Sequence, residues 1–238
     1  MVPLPQAAGK VLRIAFASDF HAGPATPWSL LEVAVARLAD LRPDLVLFGG
    51  DFVSINAGHA HRLACLPGSV DAPFGRFAVL GNHDYWAGAP TVARSLGAAG
   101  IRAVSLRAPF ECISLCGLDD HTSGEPDADP AFAGAQDVRL VLMHAPSGLL
   151  DVSEHRFNVA FCGHTHGGQV ALPNGRPLLV GHGRLSRRYN ARRYSLPGGR
   201  TLLVSRGVGC GTVPVRWNSP SSVLLCSIIT DGRSTPAD

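Results

Sequence analysis

The feature that most constrains this chain is a recurring union of an apolar run with a polar tip. "VLRIAFASD" (residues 11–19), "DLVLFGGD" (44–51), "RFAVLGNHD" (76–84), "VRLVLMH" (138–144) and "NVAFCGH" (158–164) are each mostly apolar and β-branched, and each closes on Asp or His. Nearly continuous apolar runs of this length read as strands buried on both faces, the habit of parallel sheets. Between the first two, "PWSLLEVAVARLADL" (27–41) repeats Leu30, Leu31, Ala34, Leu38 and Leu41 at helical spacing, with Pro27 at its opening and Pro43 beyond its end. Strand, helix and strand in about 40 residues make a βαβ unit with parallel pairing. "TVARSLGAAG" (91–100) predicts a second helix, closed by Gly100.

Later segments differ. "IRAVSL", "ECISLCGL", "QVALP", "TLLVSRG" and "SVLLCSIIT" read as short strands with fewer helices between them. The fold class is therefore α/β, beginning with βα units and ending richer in β. Residues 54–75 read as irregular with one short helix. Residues 119–136 form a long acidic loop and 173–200 a long basic one. Loops of that length in a compact domain carry function or move.

A chain of 238 residues buries a sizeable core, and the expected organisation is one domain over 1–238, with flexible ends at 1–10 and 231–238. No apolar run reaches the roughly 18 residues of a spanning helix, and "MVPLPQAAGKVLRIAF" lacks a signal-peptide layout. A cytoplasmic location is the expectation. The six cysteines show no C-x-x-C spacing and read as buried free thiols. Charge is uneven: residues 1–154 carry 16 acids against 10 bases, whereas 155–230 carry ten arginines and no acid. That half suits an anionic ligand or leaves open peripheral contact with an anionic membrane; a solvated arginine face is the bland alternative. No nucleic-acid motif accompanies the arginines, so no specific nucleic-acid partner is expected.

The strand tips hold the candidate chemistry: Asp19 and His21, Asp51, Asn82, His83 and Asp84, His144, then His164 and His166. Carboxyl ends of parallel strands converge on the edge where α/β proteins bind ligands. A lone Asp there is usually a helix cap, and a lone His is usually structural. Five of the ten histidines fall at these tips, however, which weakens those readings jointly. The other five (His59, His61, His121, His155 and His182) read as solvated. Oxygen and imidazole donors together suit manganese, iron, zinc, cobalt or nickel. One ion does not need so many ligands. Two ions sharing a carboxylate do, and a pair of that kind serves phosphoester hydrolysis. In "CGHTHGGQV" (162–170) alternation along an extended segment would turn both imidazoles to one side, with the glycines giving room.

The series D-x-H, G-D, G-N-H-D, a strand-end H and G-H-x-H, in this order over about residues 12–170, resembles the calcineurin-like metallophosphoesterase superfamily. "GHTHGGQV" and "VSRGVGCGTVPVRWNSP" (204–220) are further similar to a bacterial phosphodiesterase and UDP-2,3-diacylglucosamine hydrolase-like subgroup. The resemblance implies a four-layer α/β/β/α sandwich with the site at the strand C-terminal edge, and two divalent metal ions per chain. It implies Asp19, His21 and His166 as ligands of one ion, Asn82, His144 and His164 as ligands of the other, and Asp51 as the bridge. It implies that a metal-bridging hydroxide attacks phosphorus while His83 protonates the leaving oxygen, with Asp84 bonded to the His83 imidazole. The expected substrate is a small-molecule or lipid-linked phosphodiester or pyrophosphate-type ester. A phosphomonoesterase on the same site and a non-catalytic scaffold are the other readings. Arg184, Arg187 and Arg188 are candidate substrate-binding residues in the basic loop.

Overall fold

The computed structural model describes residues 2–4, 11–104, 107–110, 113–136, 138–152, 154–178, 183–211 and 213–230. In chain order its strands begin β1 (Val2–Leu4), β2 (Val11–Ala17), β3 (Leu45–Phe48), β4 (Arg76–Ala78), β5 (Ile101–Ala103) and β6 (Arg107–Phe110). They continue with β7 (Ile113–Gly117), β8 (Val138–Leu142), β9 (Val159–Cys162), β10 (Arg192–Ser195), β11 (Thr201–Val204) and β12 (Leu224–Thr230). The α-helices are α1 (Trp28–Asp40), α2 (Ala60–Gly68), α3 (Asn82–Ala98), α4 (Ala128–Phe132) and α5 (Leu149–Val152). Two six-stranded sheets result, in the orders β1-β12-β2-β3-β4-β5 and β10-β11-β9-β8-β7-β6. The inner pairings β2·β3, β3·β4, β7·β8 and β8·β9 are parallel, and antiparallel pairs join β12 to β2, β6 to β7 and β10 to β11.

Strand alternation explains how the sheets stack. Ile14, Phe16, Leu45 and Leu47 face one core together with Leu140, Leu142, Val159 and Phe161. Their neighbours Ala15, Ala17, Val46 and Phe48 face another, against Leu31, Val35 and Leu38 of α1 and Leu63 of α2. On the second sheet Val141, Ala160, Cys162, Leu202 and Val204 turn outward to Ala128, Phe132 and Val152 of α4 and α5. Period-2 side chains thus give three apolar layers between four structural ones, the α/β/β/α sandwich. The middle layer includes Phe16 and Phe161, whose ring centroids lie 5.6 Å apart. Each such fully buried aromatic contributes about 1.5–3 kcal/mol relative to exposure. Both faces of β3, β9, the Ile14–Ala17 half of β2 and most of β8 are therefore dry, which is why these runs do not alternate in polarity.

Several expectations are corrected. Val2–Leu4, expected to be flexible, pairs with β12; the rest of 1–10, and 231–238, lie outside the described residues. Pro27 precedes α1 rather than opening it, with φ −60° and ψ 137°. The helix expected over 91–100 starts earlier, at Asn82, and bends at Gly88 (φ 117°, ψ 78°). "QVALP" is no strand; Val170 and Ala171 make only single bridges to Trp217 and Pro177. The acidic loop contains α4, and the basic loop contains β10. Cys65 is exposed, Cys116, Cys162, Cys210 and Cys226 are buried free thiols, and Cys112 lies outside the described residues.

Candidate active site

The parallel strands of both sheets deliver their polar tips to one place. Asp19 and His21 follow β2, Asp51 follows β3, and Asn82 and His83 open α3 after β4. From the second sheet, His144 follows β8, and His164 and His166 follow β9. Cross-sheet bonds join the two rims: His164 N donates to both Asp19 oxygens (2.9 and 3.1 Å), and His144 Nε2 lies 3.1 Å from Asn82 Oδ1. Three groups of donor atoms lie within 4.8 Å of one another: Asp19, His21 and His166; His21, Asp51 and His83; and Asp51, His144 and His164. Asp51 and His21 each belong to two groups.

The backbone at these tips is unusual. Asp19 (φ 55°), His21 (46°), Asp51 (54°), His164 (69°) and His166 (52°) are all left-handed. That conformation is rare for residues other than glycine, and it gathers at functional sites, where surrounding structure holds the strain. Each left-handed residue turns the chain sharply off its strand and directs a ligating side chain across the rim. The His-Thr-His segment is therefore not extended, as alternation predicted. Thr165 is right-handed (φ −81°, ψ −18°) between two left-handed histidines. The outcome for the imidazoles is nonetheless a split: His164 joins Asp51 and His144, while His166 joins Asp19 and His21. Thr165 turns away and donates its hydroxyl to Asn190 O.

Two close approaches require glycine here. A methyl on Gly163 would overlap Ser18 Oγ and Asp19 Oδ2, and one on Gly81 would overlap Asp51 Oδ1 and His144 Cε1.

Asp51 Oδ1 accepts from His83 N at the start of α3 (2.9 Å), a position where the helix terminus favours an anion. Its Oδ2 lies 3.4 Å from both His21 Nε2 and His144 Nε2. Burial opposes ionisation of Asp51, but the neighbouring imidazoles, His144 foremost, outweigh it and hold the carboxyl well below its usual range. Burial also disfavours a charged His144, yet Asp51 prevails and its pKa is pushed up to about 10. His144 Nδ1 is fixed by Gly49 O at 2.6 Å, which leaves Nε2 for the cluster. Burial raises Asp19 to about 6. Burial lowers His21 to about 3 and holds His166 well below the ordinary imidazole value.

The donor set fits a divalent cation. His21 Nε2 and His166 Nε2 face each other at 3.0 Å, and His144 Nε2 and His164 Nδ1 at 3.1 Å. Imidazoles set nitrogen to nitrogen, all buried except the half-buried His164 and with carboxylates beside them, share one proton at most in each contact; a cation there would meet the facing lone pairs. Cys162 is not part of this set; it packs in the outer core with Val141, Ala160 and Leu202.

His83 is half-buried beside the cluster, its ring centroid 4.6 Å from that of His21 and 4.7 Å from that of the exposed Trp86. The expected His83–Asp84 bond is corrected. His83 Nδ1 lies 2.7 Å from Ser54 O, a carbonyl that can only accept. Asp84 instead receives Phe52 N (2.8 Å), Val53 N (3.1 Å) and Gly81 N (3.0 Å). It sits in the first turn of α3, where a carboxylate caps free amides, so its oxygens point away from the neighbouring ring. Burial, then the Asp51 charge, push Asp84 up to about 7 against those amides. Asp84 is thus an anchor between the β3 tip and α3, not a partner of His83.

Arg184, Arg187 and Arg188 are exposed, and none of them lines the cavity that opens beside Gly167; Arg192 and Arg206 do. His121 and His155, expected to be solvated, pair with Asp151 (2.8 Å) and Asp129 (2.9 Å). His182 lies outside the described residues. Sequence reasoning missed Arg216. Its guanidinium donates to Gly209 O (Nε, 3.0 Å), Ser219 O (3.0 Å) and Arg206 O (2.9 Å), and Nη2 lies 3.1 Å from His166 Nδ1. One arginine thus ties the 206–219 segment around His166. The signal was a lone charge between apolar residues in "VPVRW" (213–217).

Comparison with known proteins accords with this architecture. The calcineurin-like phosphoesterase family model matches residues 12–168. The Escherichia coli phosphodiesterase YaeI is 33% identical, covering 91% of this chain and 82% of its own length. An uncharacterized metallophosphoesterase of Bacillus subtilis, YkuE, is 29% identical over 89% of this chain and 77% of its own. The Chlamydia trachomatis UDP-2,3-diacylglucosamine pyrophosphatase LpxG is 26% identical over 90% and 82%. Among solved structures, the Haemophilus influenzae NAD nucleotidase superposes with a TM-score of 0.59 at 15% identity, covering 95% of this chain and 49% of that one, a likeness of fold alone. With a family match over most of its length and the strand-edge His/Asp cluster that the match spans, this chain belongs to the calcineurin-like phosphoesterase family and is a metallophosphoesterase, a hydrolase.

Proposed function

We propose that this chain hydrolyses a phosphodiester or pyrophosphate-type bond at a site built for two divalent ions. The observation that carries the reading is the overlap of the donor groups: Asp19, His21 and His166 on one side, Asp51, His144 and His164 on the other, with Asp51 facing both His21 and His144. Asn82 would complete the second set. Ions held there supply Lewis-acid polarisation of phosphoryl oxygens and lower the pKa of water. The chain's own residues do the rest. His83, its Nδ1 held by Ser54 O, leaves Nε2 at the edge of the cluster to give a proton to the leaving oxygen. Ser18 Oγ (2.5 Å) and His164 N hold Asp19 in place.

A diester preference is supported by relatives named for phosphodiesterase and pyrophosphatase activity. Turnover of bis-p-nitrophenyl phosphate and p-nitrophenyl phosphate, each with manganese, iron, zinc, cobalt and nickel, tests it. The diester is expected to have the higher kcat/KM by about tenfold, about 1.4 kcal/mol in the barrier. A reversed ratio selects the monoesterase reading, and no turnover with any ion selects the non-catalytic scaffold.

Metal loading is expected to release protons. Free of metal, His144 is protonated up to about pH 10, and Asp19 is protonated below about pH 6. Both protons must leave before those atoms bind a cation, whereas His21 and His166 are already neutral. Affinity should therefore rise with pH between 6 and 9, and fall more steeply below 6. Isothermal titration in buffers of different ionisation enthalpy reads the proton count; an affinity flat across this range contradicts the argument.

A further inference from the structure

The start of α3 displays an aromatic ring beside the proton donor. Asn82 faces His144, Asp84 takes the amides of Phe52, Val53 and Gly81, and the Tyr85 hydroxyl donates to Asp119, which follows β7. Asp119 is itself held by Asp120 N and Glu125 N, both at 3.0 Å. Three side chains of this turn thus tie it to three neighbours. His83 and Trp86 remain, three residues apart and so on one side of the helix. Their ring centroids lie 4.7 Å apart, with the planes at 51°. The helix breaks at Gly88 (φ 117°, ψ 78°), so the contacts of this first segment, not the rest of α3, set where Trp86 stands.

Trp86 is nevertheless 65% exposed. A single exposed apolar residue is ordinary, but this one is large and is fixed against the ring that faces the leaving oxygen. A second exposed apolar side chain, Ile55, directly follows Ser54, whose carbonyl fixes His83 Nδ1. A proton donor works within hydrogen-bond reach of the oxygen it serves. The substituent next to Trp86 is therefore the one that leaves, not the one that keeps the phosphate. An indole face favours a flat ring in offset or edge contact.

We infer that Trp86 determines which ester bond is cut, as a platform on which a flat ring of the leaving alcohol stacks. Of two substituents on a diester, the one bearing the ring departs. Water adds to phosphorus, and the bond to the ring-bearing oxygen breaks. That oxygen takes the His83 proton, a proton of the attacking water restores His83, and the monoester of the other alcohol remains. The inference rests on the hydrolytic reading above and goes beyond it, from the class of bond to the choice between two bonds. An aromatic alcohol and a nucleoside share this chemistry.

The test is an internal competition. Three mixed diesters share methoxyethanol as one substituent and carry naphthylethanol, thymidine (through its 5′ oxygen) or cyclohexylethanol as the other. All leave as alkoxides of similar basicity, so acidity does not choose between the bonds. Chromatography of the products from wild type, Trp86→Leu and Trp86→Phe, loaded with the same divalent ion, gives the ratio of the two alcohols released. Both products come from one enzyme and one substrate, so altered folding, metal content or His83 efficiency cancels in that ratio. Wild type is expected to release naphthylethanol, thymidine or both about tenfold more often than methoxyethanol, and cyclohexylethanol about equally. Trp86→Leu should bring the ratios near one, and Trp86→Phe, with a smaller ring, should keep part of the preference. The larger of the first two ratios assigns an aromatic alcohol or a nucleoside. Ratios near one in wild type, a preference that survives Trp86→Leu, or equal selection of cyclohexylethanol overturns the inference. So does cleavage of bis-p-nitrophenyl phosphate with none of the mixed diesters cut, while the hydrolytic reading stands. No cleavage of any of the four removes both.

Discussion

Asp51→Ala is expected to give a folded protein that has lost metal and at least about 10³ in kcat/KM, a barrier increase of about 4 kcal/mol. The size follows from how many neighbours depend on this carboxylate. One oxygen is held by His83 N at 2.9 Å, and the other lies 3.4 Å from both His21 and His144. Asp51 is also the leading influence keeping the His144 imidazole charged against burial. Without it, several buried imidazoles converge around a single remaining carboxylate, Asp19, on the other side of the cluster. A cation bound there would lack the anion that two donor groups share, and nearby neutral nitrogens do not replace that charge. Elemental analysis of the dialysed variant gives the metal content, and turnover of bis-p-nitrophenyl phosphate gives the rate. Full metal content and full rate together would remove Asp51 from the centre of the site.

The fold was legible where one physical rule acts alone. Runs such as "VLRIAFASD" and "DLVLFGGD" must be buried on both faces, and strand alternation then dictates three apolar layers, as Ile14 and Phe16 facing one way and Ala15 and Ala17 the other illustrate. The candidate ligands were legible for a related reason: a Asp or His directly after a dry strand end has few places to go except the shared rim. Side-chain partners were less legible, because adjacency in sequence is not adjacency in space. Asp84 follows His83 directly, yet α3 begins at Asn82, so the carboxylate turns back to three amides while the ring reaches Ser54 O. The left-handed turns at Asp19, His21, Asp51, His164 and His166 left only a weak mark: Asp and His tolerate that conformation better than most residues, but they adopt it here because the surrounding structure holds them. Arg192 and Arg206 come to one cavity through the pairing of β10 with β11 and the turn that follows it. Composition could point to a basic half but not to the two arginines that line its cavity.

His83→Gln should separate proton transfer from metal binding. The ring's Nδ1 is held by a backbone carbonyl, so Nε2 is the atom able to carry a proton to the leaving oxygen. Glutamine keeps a polar group of similar reach but cannot deliver a proton near neutral pH. The expected loss in kcat is about 10²–10⁴ for an alkoxide leaving group, the usual range for general acid catalysis. The loss should shrink with p-nitrophenolate, whose low basicity makes protonation nearly unnecessary. Metal content should remain close to wild type, because the Asp19, His21, His166 and Asp51, His144, His164 groups are complete without His83, and the third group keeps His21 and Asp51 when His83 is replaced. Asp84→Asn supplies the contrast. Its three amide contacts anchor α3 to the β3 tip, so it should lower Tm and affect both leaving groups alike, with no dependence on their basicity. Measuring kcat for both variants across a series of diesters of graded leaving-group pKa decides the matter. A slope that steepens in His83→Gln and stays parallel to wild type in Asp84→Asn assigns the proton to His83. Parallel slopes in both would make His83 a positioning residue, and the leaving oxygen would then take its proton from solvent.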